Sequence, residues 1–217
     1  AGHGGKDNGS DYRLRYEKND NLKITQAVAA YLADKENIQV IMTRSDDTFL
    51  SLEERTSFAN QNNADYFVSL HRNTGEGNGV ETWIRSDADD KTQALAKNIM
   101  DNLDAAGISR NRGVKKGTQK SESKDYYVNL HTNMPACIVE LGFMNSPTDN
   151  QLFDANVENY AKAIGDAVLK TYEAYGKDGA DAKESVEDVP GTEEQTSTET
   201  GTGTTGQVLQ NTPIENV

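Results

Sequence analysis

The amino-acid sequence predicts an α/β fold: a single domain with a mostly parallel, twisted sheet flanked by helices. Short apolar runs, such as residues 66–70 and 135–141, have the length and the β-branched content of buried strands. Longer segments with apolar residues at helical spacing, such as 17–35 and 155–175, alternate with them. This alternation favours a parallel sheet covered by helices. The composition changes after Gly176, which indicates that the folded domain ends there.

The first part of the domain predicts two helices and one strand. Residues 17–35 are expected to form the first helix, because apolar residues recur there at helical spacing. The β-rich run 38–42 predicts a short strand. A second helix is expected at 52–61, since Ser51 can cap its first turn and Glu54 stands at the matching position of a capping box.

Two strands and a helix follow in the middle of the domain. The apolar run 66–70 predicts a buried strand that ends at His71, next to a polar loop. Apolar and polar residues alternate through 79–85, which predicts another strand. A helix is then expected to open near residue 86 and to stop at Gly107.

The last part of the domain begins with a basic, polar segment at 109–124. Residues 126–130 and 135–141 predict two more strands. A final helix is expected over 155–175, because apolar residues recur there at helical spacing and Gly176 can stop it.

Residues 177–217 have the composition of a segment that does not fold. They hold no aromatic residue, two Lys and nine Asp or Glu, so a net charge of −7 out of −13 falls in this stretch. So polar a segment cannot bury enough apolar surface to offset its conformational entropy. We therefore expect a disordered, acidic Gly/Ser/Thr-rich tail, which is either a linker to another module or a plain terminus.

Charge and composition exclude some kinds of partner. A net charge of −13 and a pI near 4.6 argue against a nucleic acid or an anionic membrane surface. No apolar run is long enough to span a bilayer. The single cysteine, Cys137, is expected to be a small core residue. The chain opens abruptly at Ala1 without a signal peptide, and we expect a missing leading strand before it.

Four residues are suited to metal binding or acid–base chemistry: His3 in the Gly-rich opening loop, Glu17 at the start of the first predicted helix, and His71 and Glu140 at the ends of two predicted strands. In a parallel sheet, strand carboxyl ends and helix N-termini share an edge, so all four could reach one site. Two imidazoles and a carboxylate are a common set for catalytic zinc, and a second carboxylate can move a proton. Taken singly, His71 also fits a hydrogen-bonded rim residue, and Glu140 fits a salt bridge to Arg44 or Arg55.

An ordered series of motifs surrounds these four residues. The series consists of Gly2-His3-Gly4-Gly5-Lys6-Asp7, Glu17-Lys18 with Asn21-Leu22, Thr43-Arg44, Leu52-Glu53-Glu54-Arg55 with Ala59-Asn60, Val68-Ser69-Leu70-His71-Arg72-Asn73, Asn111-Arg112-Gly113-Val114, and Met134-Pro135-Ala136 followed by Val139-Glu140-Leu141-Gly142-Phe143-Met144-Asn145. In this order it resembles the zinc-dependent N-acetylmuramoyl-L-alanine amidases of the amidase-3 type, which are bacterial cell-wall hydrolases. The resemblance covers residues 1 to about 176.

The resemblance implies one zinc ion bound by His3, Glu17 and His71, with Glu140 as the catalytic carboxylate. The substrate it implies is the amide that joins the lactyl group of N-acetylmuramic acid to L-alanine of the peptidoglycan stem peptide. Glu140 would take a proton from the attacking water and pass it to the departing alanine nitrogen.

Three further residues are weighed for substrate contact. Arg72 and Asn73 directly follow His71, and Arg72 stands where the family usually has a small residue. Arg72 could therefore reach a stem-peptide carboxylate or remain a solvated rim residue. His131 is not a ligand position of the family, and it is read as a loop residue with substrate contact as the alternative.

The resemblance also bears on regulation, partners and location. In some relatives a helix inserted near 115–130 blocks the zinc, and the shorter segment here predicts an open site that needs no activator. We expect a monomeric, secreted autolysin of the bacterial cell wall, which acts on peptidoglycan in remodelling, cell separation or lysis. A separate wall-binding module attached through the tail is a further hypothesis. A zinc peptidase or carboxypeptidase acting on another amide, and an inactive wall-binding module, remain the alternative functions.

Overall fold

A computed structural model gives the structure of the protein and describes residues 1–176 of the 217-residue chain. Its elements, in chain order, are β1 (Asp11–Tyr12), β2 (Arg15–Tyr16), α1 (Glu17–Ala33), α2 (Leu52–Gln61), β3 (Phe67–Asn73), β4 (Val80–Ile84), α3 (Asp90–Ala105), β5 (Asn111–Lys116), α4 (Tyr127–His131), β6 (Ala136–Phe143) and α5 (Pro147–Tyr175).

Four of these strands form the central sheet, in the order β3-β6-β4-β5. β3 pairs in parallel with β6, and β4 pairs in parallel with β5, whereas β4 and β6 are antiparallel. β1 and β2 form a small antiparallel pair just before α1. The prediction of an α/β domain with a mostly parallel sheet is therefore confirmed.

The two faces of the sheet are covered by different helices. Leu70, Ile84 and Val139 belong to a large apolar cluster that also takes residues from α1, α3 and α5. Phe67, Trp83 and Ile138 belong to a smaller cluster with residues of α2 and α4. Because successive residues of a strand project to opposite faces, each strand serves both clusters. The second face, only partly covered by its two short helices, carries the functional side chains described below.

Several helix predictions are confirmed and others need new limits. Ser51 and Glu54 form the expected capping box of α2. α3 begins at Asp90, later than predicted, because the Asp89 side chain accepts a hydrogen bond from the Thr92 N–H (2.8 Å) and so caps the helix there. α5 begins at Pro147 and bends at Asn156, so the prediction from 155 onward captured only the part after the bend.

Three strand predictions are wrong or incomplete. Residues 38–42 form no strand, because their backbone does not pair with β3. Ile41 and Met42 instead line a cavity of about 90 Å³ together with Phe67 and Val68. Residues 126–130 lie mostly in the helix α4, in which Val128 packs on the sheet as part of the smaller apolar cluster. The basic segment contains an unpredicted strand, β5, because backbone pairing to β4 stabilises it where the residue pattern gives little signal.

Two expectations about the chain ends remain predictions. The expected disordered tail at 177–217 lies outside the described residues. A leading strand before Ala1 is untested, and the Gly2 N–H donates to the Leu70 carbonyl (3.1 Å), at the free edge of β3. Within residues 1–176, no helix has the length and apolar character required to cross a membrane.

Candidate metal centre and active site

Three of the four predicted site residues come together on the partly covered side of the sheet. His3 lies in the opening loop, Glu17 begins α1 and His71 lies in β3. Glu17 Oε1 is 3.2 Å from His3 Nε2 and 2.9 Å from His71 Nδ1. One ligand atom from each residue lies within 4.8 Å of the other two, so a single metal ion could contact all three.

Two glycines make room for this cluster because they have no side chain. A Cβ atom on Gly2 would lie 2.1 Å from His71 Cε1, and one on Gly9 would lie 2.6 Å from both Glu17 Oε2 and His3 Cδ2. Gly9 also has a φ of 64°, which glycine adopts without steric cost. His3 itself has a φ of 56°, uncommon for a residue with a side chain and often found at functional sites. The Gly-rich opening loop therefore permits the close approach of these side chains.

Backbone groups fix the Glu17 carboxylate between the two imidazoles. The Ser10 N–H donates to Oε2 (2.8 Å), and the Arg72 N–H donates to Oε1 (3.1 Å). The Asn21 side chain, one turn along α1, donates to Oε1 as well (3.2 Å). The carboxylate is 3% exposed and is held from several directions, so its position does not depend on a bound ion.

Asp7 orients the His3 ring from the side remote from Glu17. Asp7 Oδ2 is 2.8 Å from His3 Nδ1, and Asp7 Oδ1 accepts a hydrogen bond from the Gly9 N–H (3.0 Å). A carboxylate at the second nitrogen of a ligand histidine fixes its tautomer and increases its basicity. Sequence reasoning assigned no role to Asp7, although it belongs to the Gly2–Asp7 motif quoted above.

In the metal-free protein Glu17 and His71 favour their metal-binding forms, whereas His3 must lose a proton when a metal binds. Burial opposes ionisation of Glu17, but hydrogen bonds and charge from His3 and His71 outweigh it and hold the Glu17 pKa well below its usual range. Burial lowers the pKa of His71, and the Glu17 carboxylate only partly opposes this. Burial also disfavours protonation of His3, but Glu17 and Asp7 together raise its pKa to about 8. Glu17 is therefore an anion, and His71 favours the neutral form that binds metals.

Glu140, the fourth predicted residue, lies beside the cluster. It is the register partner of His71 in the β3–β6 pair and of Glu81 in the β4–β6 pair. Its Oε2 atom is buried and finds no hydrogen-bond partner within residues 1–176. Burial, together with the negative charges of Glu17 and Glu81, raises the pKa of Glu140 to about 8. Such a carboxyl group can both accept and donate a proton near neutral pH.

The salt bridge that sequence reasoning allowed for Glu140 is not formed within the described part of the chain. Arg44 Nη2 donates to the Gly2 carbonyl and Arg55 Nη2 donates to the His3 carbonyl, both at 2.8 Å. Both arginines therefore hold the opening loop in place and leave Glu140 without a cationic partner.

Glu81 is a second carboxylate that sequence reasoning did not assign to the site. Its Oε1 accepts hydrogen bonds from Asn73 Nδ2 (2.9 Å) and Trp83 Nε1 (3.2 Å). Its Oε2 accepts from Arg112 Nε at 2.7 Å. These three donors engage both carboxylate oxygens of Glu81 next to Glu140. The available signal was a glutamate within the predicted strand 79–85.

Arg72 is not available for substrate contact, so that prediction is corrected. Its side chain is fully buried on the face of the sheet opposite His71, because neighbouring residues of a strand point to opposite faces. Nη1 donates to Asp20 (2.6 Å), Nη2 donates to Asn150 (2.7 Å), and the guanidinium lies 4.4 Å from the centroid of the Phe153 ring. Arg72 is therefore neither a substrate ligand nor a solvated rim residue; it joins β3 to α1 and α5.

The other two candidates for substrate contact differ in accessibility. Asn73 is 4% exposed, and its Oδ1 atom accepts hydrogen bonds from the Thr74 N–H (2.8 Å) and Gln119 Nε2 (3.2 Å). Because its side chain also donates to Glu81, its polar groups are used within the protein, which argues against direct substrate contact. His131 ends α4, is exposed and stacks on Tyr127 with ring centroids 4.0 Å apart.

The donor set fits zinc better than a hard cation such as Mg²⁺ or Ca²⁺. Two imidazole nitrogens and one carboxylate oxygen form a frequent catalytic zinc set, whereas hard cations prefer oxygen ligands. The Asp7–His3 contact adds the supporting carboxylate that such sites commonly have. Three protein ligands leave a coordination position free for water or substrate.

Comparisons with known proteins identify the family of this chain. Residues 1–170 match a family model described as N-acetylmuramoyl-L-alanine amidase. The chain is 35% identical to the uncharacterized protein YqiI of Bacillus subtilis (strain 168) over 178 residues, 81% of this chain and 82% of YqiI. It is 32% identical to the sporulation-specific N-acetylmuramoyl-L-alanine amidase of the same organism, covering 68% of this chain and 56% of that protein.

The solved structures give the same result. The structure of an N-acetylmuramoyl-L-alanine amidase from Clostridium difficile 630 superposes with a TM-score of 0.74 and 33% sequence identity. The superposition covers 81% of this chain and 95% of that one.

Proposed function

This chain belongs to the amidase-3 family of N-acetylmuramoyl-L-alanine amidases, which are peptidoglycan hydrolases, and we propose that it works with a single zinc ion. In this proposal His3, Glu17 and His71 hold the ion and Glu140 is the proton-transferring carboxylate. The bond cleaved is the amide between the lactyl group of N-acetylmuramic acid and L-alanine of the stem peptide.

The observation that carries the proposal is the joint position of the four side chains. Three ligand atoms from distant parts of the chain lie within 4.8 Å of one another. Glu140, whose buried Oε2 is unpartnered within residues 1–176, is the register partner of one of these ligands. A metal ion at these ligands would polarise the scissile carbonyl and make water more acidic.

Each residue has a distinct task in this mechanism. Glu17 supplies negative charge, and its low pKa keeps it ionised throughout the neutral range. Asp7 holds the His3 ring so that Nε2 faces the ligand cluster. The buried environment of His71 favours a neutral imidazole. Together these side chains form a preorganised ligand set, so little reorganisation is needed when the substrate binds.

Glu140 carries the proton between the two halves of the reaction. As a carboxylate it accepts a proton from the attacking water, and as a carboxylic acid it donates that proton to the leaving alanine nitrogen. Its raised pKa, near 8 in the metal-free protein, makes the protonated state accessible for the second step. The charge of Glu81 supports both steps, because it raises the pKa of Glu140. A higher pKa makes Glu140 a stronger base in the first step and keeps its protonated form accessible for the second.

We further propose that the protein acts as a secreted monomer in the bacterial cell wall, with an open site and without an activator. The segment between β5 and α4 is short, and α4 has five residues and packs against the sheet. A wall-binding module attached through residues 177–217 would supply the attraction to the wall that an acidic protein lacks.

Digestion of purified peptidoglycan by the zinc-loaded chain tests the function. We expect intact stem peptides with a free L-alanine amine, identified by mass spectrometry, and one zinc per chain by elemental analysis. New amines on other residues of the stem would instead indicate a zinc peptidase. A chain that binds no zinc and releases no peptide would contradict the enzymatic proposal.

A further inference from the structure

β5 and the loop after it carry a concentration of positive charge in an acidic protein. Residues 110–124 contain six basic residues and one acidic residue, a net charge of +5. The basic residues are Arg110, Arg112, Lys115, Lys116, Lys120 and Lys124. The rest of residues 1–176 carries a net charge of −11, so this segment differs in sign from its surroundings.

Part of this charge lies on the face of the sheet that carries the active site. Lys115 is the register partner of Trp83, on the same strand face as Glu81, which is itself the partner of Glu140. Partners in register project to the same face of a sheet. β5 lies two strands from β6, so these cations begin roughly 10 Å from Glu140.

The loop after β5 brings further lysines towards the same side. Gln119 Nε2 donates to Asn73 Oδ1 (3.2 Å), and Asn73 lies two residues beyond the ligand His71. Lys120 follows Gln119 directly and is exposed, and Lys124, also exposed, lies further along the loop beside Asp125, which accepts a hydrogen bond from the Ser86 N–H (2.6 Å). We name Arg112, Lys115, Lys120 and Lys124 the cationic rim.

Most side chains of the cationic rim form no ion pair with a carboxylate within residues 1–176. Arg112 donates to Glu81, and its side chain remains 29% exposed. Among residues 1–176, the three lysines have no carboxylate within 4.0 Å. Lysines on an edge strand also discourage strand-to-strand aggregation. Lys116, which projects to the other face as the partner of Ile84, can serve that purpose, whereas Lys115 projects to the face of the site.

The acidic groups on the opposite side of the metal ligands are paired with basic groups. Asp7 Oδ2 is 2.8 Å from His3 Nδ1, and Asp47 Oδ2 accepts a hydrogen bond from Lys18 Nζ (2.8 Å). These charges are largely balanced, whereas the lysines of the cationic rim are not, so an acidic group of a substrate is attracted towards β5.

We propose that the cationic rim binds the free carboxylates of the stem peptide, so that the peptide leaves the site across β4 and β5. This rests on the proposed function and specifies which part of the substrate lies on which side. The sugars next to the scissile amide carry no charge that would need these cations, whereas an acidic stem peptide does. Glu140 lies between the metal ligands and the rim, where the departing peptide nitrogen must receive its proton.

A pair of soluble muramoyl-peptide probes tests the inference. The two probes are identical except that the residue after L-alanine carries a free carboxylate or the neutral carboxamide. We expect the wild-type protein to have a KM roughly tenfold lower for the carboxylate probe, a difference that shrinks at high salt. The triple variant Lys115→Gln/Lys120→Gln/Lys124→Gln should lose this preference, with kcat and the KM of the carboxamide probe unchanged.

A matched control removes the same charge from the far side. Lys23, Lys97 and Lys170 lie exposed on α1, α3 and α5, whose residues pack on the other face of the sheet, and their triple Gln variant should keep the preference. Equal loss in the control would overturn a local role for the rim. Equal KM values for the two probes in the wild type would overturn the inference itself.

Binding measurements separate this inference from the proposed function. The Glu140→Gln variant, which should bind without cleaving, is titrated with both probes by fluorescence anisotropy. Tighter binding of the carboxylate probe supports the rim even if the wild type cleaves neither probe, an outcome that would count only against the amidase proposal. Equal affinities would overturn the rim.

Discussion

Glu81 and Glu140 lie directly opposite each other in the antiparallel pair β4–β6, so two carboxyl groups share one face of the sheet. Their environments differ: Glu81 accepts three hydrogen bonds, whereas Glu140 Oε2 has no partner within residues 1–176. Burial raises the pKa of Glu140, and the nearby charges of Glu17 and Glu81 raise it further. Glu140 is thereby set apart as the proton carrier of the pair.

Glu81→Gln should shift the pH profile of the enzyme. Removing the Glu81 charge lowers the pKa of Glu140, so the acidic limb of kcat/KM should move to lower pH. The matched control is Glu53→Gln on the exposed surface of α2, which should leave the profile unchanged. An unchanged acidic limb in Glu81→Gln would show that the two carboxyl groups are not coupled.

Glu140→Gln should abolish turnover and stabilise the metal-free protein. The folded-state pKa of Glu140 is about 8 against an ordinary value of 4.5, so folding favours the protonated form. The cost of ionising Glu140 is absent below pH 4.5 and grows as the pH rises towards 8. Gln removes this cost, so urea unfolding of the chelated protein should show a gain of about 1–3 kcal/mol at pH 8 and none at pH 4. A stability loss at pH 8 would contradict the assigned burial cost.

Arg72→Met should weaken both stability and zinc binding. It removes the buried guanidinium from Asp20 and Asn150, and because Asp20 keeps its ion pair with Arg15 (2.7 Å), we expect a loss of about 1–3 kcal/mol. Because Arg72 joins α1 to β3, the spacing of Glu17 and His71 should relax and the zinc dissociation constant should rise. Arg85→Met, which breaks the exposed pair with Asp87, is the control and should cost less than about 1 kcal/mol. Comparable losses in the two variants would argue against this role.

Asp7→Asn should lower zinc affinity without unfolding the protein. The Asp7 carboxylate contacts His3 Nδ1 and is 45% exposed, so its contribution to stability is small while its effect on the ligand ring is direct. Competition with a chromogenic chelator should show an affinity loss of about 10–100-fold. Asp101→Asn, at an exposed helical pair with Lys97, should bind zinc like the wild type. Wild-type affinity in Asp7→Asn would remove Asp7 from the site.

Gly9→Ala should lose the metal, whereas Gly107→Ala should not. Both glycines have positive φ values, 64° and 90°, so both substitutions introduce backbone strain. Only at Gly9 would the new Cβ contact ligands, at 2.6 Å from Glu17 Oε2 and His3 Cδ2; at Gly107 nothing lies within 4 Å. Zinc content after dialysis, measured beside thermal unfolding, separates the two effects. Full zinc occupancy in Gly9→Ala would mean that the cluster can move aside.

The sequence identified the elements whose local signals are strong. The capping box of α2, the apolar run of β3 and the glutamate within β6 each depend on residues close together in the chain. The motifs around the four site residues identified the family in the same way. Where local signals were weak, at 38–42, 126–130 and β5, strand formation depended on a backbone partner supplied by another part of the chain.

The amino-acid sequence by itself determined which residues could hold a metal and which could move a proton. Only the tertiary structure decided which face each side chain occupies and which groups surround it. It placed Arg72 in the buried layer while its neighbour His71 faces the site, and it set Glu81 opposite Glu140. The physical reason is that a side chain's pKa and accessibility depend on neighbours tens of residues away, which local pattern does not encode.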